Sequence, residues 1–435
     1  MSTKPNKEQT EPKFKETEIG LIPEDWEVVK IKELGKVITG KTPPTKEKDY
    51  FGSDYPFIKI PDIGDSVYIN KTKTMLSKKG AEYMNSLKIP KDSVLISCLA
   101  TIGKVGITTR DSFTNQQINS LICDRNKVIP PWVYYYFKIN TSYLESLGGG
   151  GSIYTNISKS KFENALIPLP PLPEQKRIAY VLSTIQNARE KTENVINSLK
   201  EFKKSMMKHL FTYGPVSLEE AEKVKLKETE IGRIPEHWEV VKVSDFAITK
   251  AGGTPSTLEN RYWNGDVPWI NSGELHNCYI NKPTKYITKL GLKNSAAKLL
   301  PANTVVIALT GATTGMVGFL TFECSTNQSV VGILPNKKFN ELYLFYHLIY
   351  SRERVLSFAT GAAQPHINKA VVDNLLVSLP PLPEQQQIAS ILSAIDSRIE
   401  AEEAKKKALD ELFKSMLHNL MTGKIRVKDL TLKEV

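Results

Sequence analysis

Two long stretches of this chain keep apolar residues three or four positions apart on an otherwise charged background. The first runs through Ile178, Leu182, Ile185, Ile196, Leu199, Met206 and Leu210. The second runs through Ile388, Leu392, Ile395, Ile399, Leu409, Phe413, Met416 and Leu420. Such a stripe is one face of an amphipathic helix that needs a partner. Polar positions at Arg189/Thr192 and Glu402/Lys406 interrupt a strict heptad. Both stretches open on the same seven residues, Leu-Pro-Pro-Leu-Pro-Glu-Gln, at 169–175 and 379–385. Proline is tolerated where a helix begins because its missing N–H would be unpaired anyway, and Glu174 and Glu384 sit where the positive helix end favours a carboxylate. A helix from Glu174 to Phe211 would be about 57 Å long. The link from Phe211 to Lys227 is short, so the second helix must run back to cover the first. The pattern therefore predicts an antiparallel, coiled-coil-like pair, with Leu182, Ile185, Ile196, Leu199, Met206, Leu392, Ile395, Ile399, Leu409 and Met416 serving helix pairing or partner docking.

The helices belong to a longer repeat. Residues 15–30 match 227–242 except at Leu21/Arg233 and Asp25/His237. At the same offset of 212, Thr42-Pro43 pairs with Thr254-Pro255, Tyr50-Phe51 with Tyr262-Trp263, and Thr114-Asn115-Gln116 with Thr326-Asn327-Gln328. Later, Gly151, Ile157 and Lys159 match Gly361, Ile367 and Lys369 at an offset of 210. One unit of about 210 residues, a globular part followed by a long helix, is thus used twice, giving an internal pseudo-twofold. The boundaries read as a disordered tail 1–14, a globular part 15–168, a helical spacer 169–214, a second globular part 215–378, a second spacer 379–427 and a tail 428–435.

Within each globular part, Val94–Cys98 and Val305–Leu309 read as buried strands, with hairpin neighbours at 105–108 and 316–320. Residues 131–138 and 341–349 read as short aromatic helices whose rings fill a core rather than stack on bases. The fold class is therefore α+β: two similar globular domains separated by two long antiparallel helices.

Composition narrows the function. The chain of 435 residues holds 58 Lys+Arg against 47 Asp+Glu, a formal charge of +11, which suits a polyanionic partner. No apolar run approaches the roughly 20 residues that span a bilayer, and the polar N-terminus has no apolar signal core, so a cytoplasmic protein with no membrane partner is expected. Cys98, Cys123, Cys278 and Cys324 lack C-x-x-C spacing and read as reduced thiols. Six histidines form no metal-ligand pattern. Neither Gly148–Gly151 nor the Leu309–Gly315 run is a phosphate loop; the latter lacks its lysine. No catalytic motif is recognisable, no cofactor is expected on this chain, and no metal site.

Taken together, a variable globular part, a Pro-Leu-Pro-Glu-Gln helix, and a second copy of each resemble the specificity subunit of type I restriction–modification systems. The resemblance covers 15–427 and rests on Glu-Ile-Gly-x-Ile-Pro-x-x-Trp (from Glu18 and Glu230), Gly252–Thr257, both helix openings and the run from Gly361. The first half departs from it at Lys41–Thr45 and at 151–157. The resemblance implies a non-catalytic subunit that binds double-stranded DNA. Each globular part would be a target recognition domain reading one half of a bipartite, asymmetric site. The helices would set the spacing and dock two methyltransferase (modification) subunits carrying S-adenosylmethionine, joined by restriction subunits that use ATP and Mg. Such a complex would mark adenines and defend against foreign DNA.

The repeat also sorts candidate readers, because two domains reading different bases should differ where they touch them. Trp26/Trp238 and Asn115-Gln116/Asn327-Gln328 are identical, hence framework. Lys59 and Asp62 against Asn271, Ser272 and Glu274 differ, and offer donors to guanine, bidentate pairing to adenine and acceptors for cytosine. The glycine loop gives a second set, with Ser152, Tyr154, Thr155 and Asn156 against Gln364, Pro365 and His366. Lys159 and Lys369 suit phosphate, as do Arg261, Lys46, Lys48 and Lys104.

Three other readings stay open: a self-contained nuclease with an unfamiliar site, a coiled-coil adaptor that never touches DNA, and a specificity subunit serving a fused restriction–methylation enzyme of another type.

Overall fold

The structure, a computed structural model, describes residues 13–64, 66–149, 156–361, 365–428 and 430. Residues 1–12 of the expected tail, most of 428–435, and the candidates Ser152, Tyr154, Thr155 and Gln364 lie outside the described residues. The chain divides into two compact units, Met1–Thr192 with Lys405–Val435, and Glu193–Ala404. The division falls inside both long helices, Leu172–Tyr213 and Leu382–Met421, rather than at their ends. Each unit therefore holds one globular part, the first half of the helix that follows it and the last half of the other helix.

The two units repeat one topology. In the first, a five-stranded sheet runs in the order Gly35–Thr39, Ile118–Cys123, Val94–Ser97, Val105–Thr108, Tyr68–Ile69. In the second the order is Thr249–Ala251, Val330–Ile333, Val305–Ala308, Val317–Leu320, Cys278–Ile280. Every pair is antiparallel except the last, which is parallel in both units. The central strands are buried throughout, as their unbroken apolar runs require. A smaller sheet is built on the long strand Phe51–Ile58 or Trp263–Ile270.

The aromatic helices Pro130–Ile139 and Glu341–Tyr350 cover the sheet, and their rings are core. Trp132, Tyr135 and Phe137 are fully buried in the first unit, and Tyr343, Phe345 and Tyr346 in the second. The long helices complete those cores. In the first unit Ile178, Leu182, Leu417 and Leu420 join Trp26 and Trp132; in the second Met207, Leu210, Ile388 and Leu392 join Trp238 and Tyr343. Among the stripe positions, Leu182, Ile196, Leu392, Ile395 and Ile399 are buried, while Ile185, Leu199, Met206, Leu409 and Met416 are half-buried.

Within each unit the two helix segments run antiparallel. In the first, Arg189 Nε donates to Asp410 Oδ1 at 2.6 Å, whereas Arg177, earlier on its helix, reaches the later Leu430 carbonyl at 2.8 Å. In the second, Lys200 meets Glu403 at 2.7 Å and Lys203 meets Asp396 at 2.6 Å. Exposed pairs such as Lys200–Glu403 contribute little, so the buried stripe carries the stability of the pairing.

The shared Pro-Glu-Gln opening locks each helix to its globular part. Gln175 accepts from the Ile129 N–H at 3.1 Å and donates to the Lys127 and Pro170 carbonyls. Gln385 likewise accepts from the Asn340 N–H at 2.8 Å and donates to the Pro380 carbonyl. One buried amide thereby sets where each aromatic helix begins.

Candidate nucleic-acid interface

Strand register gathers the variable segments at one end of each five-stranded sheet. In the first unit Thr39 lies opposite Asn119 and Ile118 opposite Ser97, so the chain leaves Gly35–Thr39 and Val94–Ser97 and enters Ile118–Cys123 at the same end. Loops there are tied to one another. The Lys41 N–H donates to the Thr114 carbonyl at 3.0 Å, and the Thr42 hydroxyl donates to Gln116 Oε1 at 2.7 Å. The Cys98 N–H reaches the Gln117 carbonyl at 2.8 Å, and the Ile157 N–H reaches the Cys98 carbonyl at 2.9 Å, which brings Asn156 beside Leu99. The Asn115 N–H reaches the Ile58 carbonyl at 3.3 Å, placing Lys59–Asp62 at the same rim. Lys104 closes the adjoining hairpin, its N–H on Ser97 Oγ at 2.9 Å.

The second unit builds the same rim with other side chains. The Gly253 N–H reaches the Thr326 carbonyl at 2.8 Å, and the Thr254 hydroxyl bonds Gln328. The Leu309 N–H reaches the Ser329 carbonyl at 2.8 Å, the Ile367 N–H reaches the Leu309 carbonyl at 2.8 Å, and His366 lies beside Thr310. The Asn327 N–H reaches the Ile270 carbonyl at 3.0 Å, one residue before Asn271. Glycine is needed where loop meets strand: a Cβ on Gly40 would sit 2.2 Å from the Thr114 carbonyl oxygen, and one on Gly252 would sit 2.1 Å from Thr326 Oγ1.

The rim thus brings Lys59–Asp62 and Asn271–Glu274 together with Asn156 and with Pro365 and His366, the described residues of the second candidate set, and Asn115-Gln116 and Asn327-Gln328 lie between them. Asn156 and His366 occupy equivalent bridge positions and are both exposed. His366 Nε2 is 2.9 Å from the Thr360 hydroxyl. Lys159 and Lys369 begin short helices close by. Lys159 lies 3.5 Å from Glu163, and Lys369 donates to Asp373 at 2.7 Å.

Other candidates have local work. Asp62 accepts from the Lys59 N–H at 2.9 Å and from the Lys73 N–H at 3.0 Å. Glu274 accepts from the Asn271 N–H at 2.9 Å and from Thr284 at 2.7 Å. Each carboxylate closes the same one-turn helix, so the Asp/Glu difference preserves a cap rather than marking a change of base. Asn271 is also committed, with Nδ2 on Glu274 and Oδ1 taking the Gly273 N–H. Ser272 is half-buried on that turn. Lys59 Nζ donates to Thr74 at 3.1 Å and stands over the Phe57 ring. Arg261 is not at this rim. It precedes the strand that ends at Ile270, about 23–27 Å of extended chain away, and bonds Glu259 at 2.7 Å.

Sequence reasoning missed Lys41, Leu99 and Gln117, with their counterparts Gly253, Thr310 and Ser329. A signal was present for two of these pairs: Lys41/Gly253 and Gln117/Ser329 are divergent positions directly beside the matched segments Thr42-Pro43/Thr254-Pro255 and Asn115-Gln116/Asn327-Gln328. Burial pushes the Cys98 thiol at the rim up to about 11, so it stays neutral. All four cysteines are free thiols. Among the described residues no group of three or more His, Cys, Asp and Glu could hold a metal ion, and no helix is long and apolar enough to cross a membrane.

Comparison with known proteins agrees across nearly the whole length. The family model for the type I restriction modification DNA specificity domain matches twice, at residues 23–201 and 235–411. A Methanocaldococcus jannaschii protein described as the MjaX specificity subunit of a type I restriction enzyme is 33% identical over 96% of this chain and 98% of its own. The type I restriction enzyme MjaVIII specificity subunit of the same organism is 30% identical, covering 97% of each. The crystal structure of the type I restriction-modification S subunit from M. genitalium superimposes with a TM-score of 0.60 at 16% identity, covering 94% of this chain and 99% of that one, which is a likeness of fold.

Proposed function

The chain belongs to the type I restriction–modification DNA specificity family, and from that premise we propose that it is the non-catalytic reader of a methylating and cleaving complex. Each unit reads one half of a split, asymmetric site on double-stranded DNA through its sheet-end rim. The single observation that carries this reading is the repeated rim itself. Identical residues, Thr42/Thr254 and Gln116/Gln328, hold the loops, while the side chains presented differ, Asn156 against His366 and Lys104 against Met316. A framework held constant beneath changed contacts is what two readers of different bases require.

Catalysis would lie in partners: methyltransferase subunits supplying S-adenosylmethionine, and restriction subunits supplying ATP-driven cleavage with Mg. The two long helices, each contributing to both units, would fix the separation of the half-sites at about 1.5 Å per residue. The test is methylation of plasmid DNA by the purified chain, by the candidate methyltransferase, and by both together. Only the mixture should mark a bipartite motif. Marking by the chain alone would overturn the assignment, and absence of salt-dependent DNA binding by the assembled mixture would favour the adaptor reading instead.

A further inference from the structure

The net charge of this chain is confined to one unit. The first, Met1–Thr192 with Lys405–Val435, holds 36 Lys+Arg against 25 Asp+Glu, a net of +11. The second, Glu193–Ala404, holds 22 against 22, a net of zero. Two copies of one fold therefore differ by the entire formal charge of the protein.

The difference is written into the rim. Strand pairing and loop hydrogen bonds equate Lys41 with Gly253, Lys59 with Asn271 and Lys104 with Met316. Lys41 and Lys104 are exposed, and Lys59 is half-buried. Their replacements carry no charge. Beyond these three pairs, Lys159 is matched by Lys369.

Resting on the reading of the rims as DNA-contacting, we propose that the two units share the work unequally. The first unit is the electrostatic anchor, holding backbone phosphates through Lys41 and Lys104, and it supplies most of the salt sensitivity of binding. The second unit holds its half-site largely through uncharged contacts. Each lysine that neutralises a phosphate releases condensed counterions, and contributes about 0.9 to the slope of log affinity against log salt. Long-range attraction follows net charge, so encounter with DNA begins at the first unit, and the second settles afterwards through short-range contacts.

The experiment uses the full chain with its methyltransferase partner, and DNA carrying the motif that the complex methylates. Dissociation constants are measured from about 50 to about 200 mM salt. The combined variant Lys41→Gln/Lys104→Gln should flatten the slope by about 2. Its loss of affinity across that range should then be smaller than the wild-type loss by about 12-fold. Lys369→Gln in the second unit should change the slope by about 1 at most. The single variants Lys41→Gln and Lys104→Gln should each flatten the slope by about 1 and keep the test valid if the combined variant fails to fold. An unchanged slope in the folded combined variant, or in both single variants, overturns the unequal sharing. A wild-type complex that does not prefer the motif over scrambled DNA sinks the reading of the rims, and this inference with it.

Discussion

The indole N–H of Trp238 donates to Glu384 Oε2 at 2.9 Å, and 212 residues earlier Trp26 makes the same bond to Glu174 at 3.2 Å. Both tryptophans are fully buried. Each bond joins the start of a globular part to the start of the long helix that follows it. The end of the other helix reaches the same place. Gly423 and Gly214 turn there with φ of 70° and 83°, and an added Cβ would lie 3.5 Å from Trp26 or 3.4 Å from Trp238. The two junctions differ in what else the carboxylate holds. Arg426 clamps Glu174 through Nε at 2.7 Å and Asp25 through both terminal nitrogens, whereas exposed His237 meets Glu384 at 2.9 Å.

Glu174→Ala should therefore cost the first unit about 2–4 kcal/mol, because it leaves the buried Trp26 indole N–H unpaired and removes one of the two carboxylates held by the half-buried Arg426. Glu384→Ala should cost the second unit less, about 1–3 kcal/mol, since His237 keeps its water. Denaturant unfolding of each variant, followed by hydrogen exchange in the two units, would check both values. Equal losses would show that the Arg426 clamp adds nothing.

Acid should loosen the first junction. Hydrogen bonding from Arg426 holds the Asp25 carboxyl far below the usual carboxylate range, against a smaller opposing effect of burial. A depressed carboxylate stabilises above its unfolded pKa of about 4, and that contribution is lost as pH falls from there toward the folded value. Melting temperature measured between about pH 7 and pH 3 should show this loss, and Asp25→Asn should remove that component.

His347 gives the second unit its own pH dependence. Burial, with Arg354 nearby, lowers it to about 3, and it sits neutral in the core against Phe211. The unfolded chain protonates it below about 6.5 while the folded unit does not, so stability falls as pH drops through that window and is flat above it. From pH 7 to pH 5 the second unit should lose about 2 kcal/mol. His347→Gln should flatten that profile. The first unit carries Tyr136 at the equivalent helix position and should lack the effect.

Asn156 and His366 should each govern one half of the motif. Alanine at Asn156 should relax discrimination in the half read by the first unit by about 1–3 kcal/mol, and alanine at His366 should do so in the other half. Lys159→Ala should instead weaken binding to all sequences alike. Methylation of randomised targets by each variant complex separates the two behaviours.

The sequence made the repeat and the long helices legible because both are periodic: a 210-residue copy, and a 3.6-residue stripe ending in Leu210 and Leu420. It could not show that Glu174 serves Trp26, because the partners lie 148 residues apart. Nor could it separate a changed cap from a changed reader. Asp62 and Glu274 differ between the copies, yet both close the same turn. Divergence between repeats shows where side chains vary. Only the register of the sheet shows that Lys59, Asn156 and Lys104 share one rim.

The most direct measurement is a methylated-base map of genomic DNA from cells that hold the methyltransferase partner and this chain, its absence, or a version with the first-unit rim loops exchanged. The account predicts a split motif marked only with the chain present, and the exchange should rewrite one half of it while the other half and the gap persist. Identical maps with and without the chain would contradict it, as would an exchange that alters both halves.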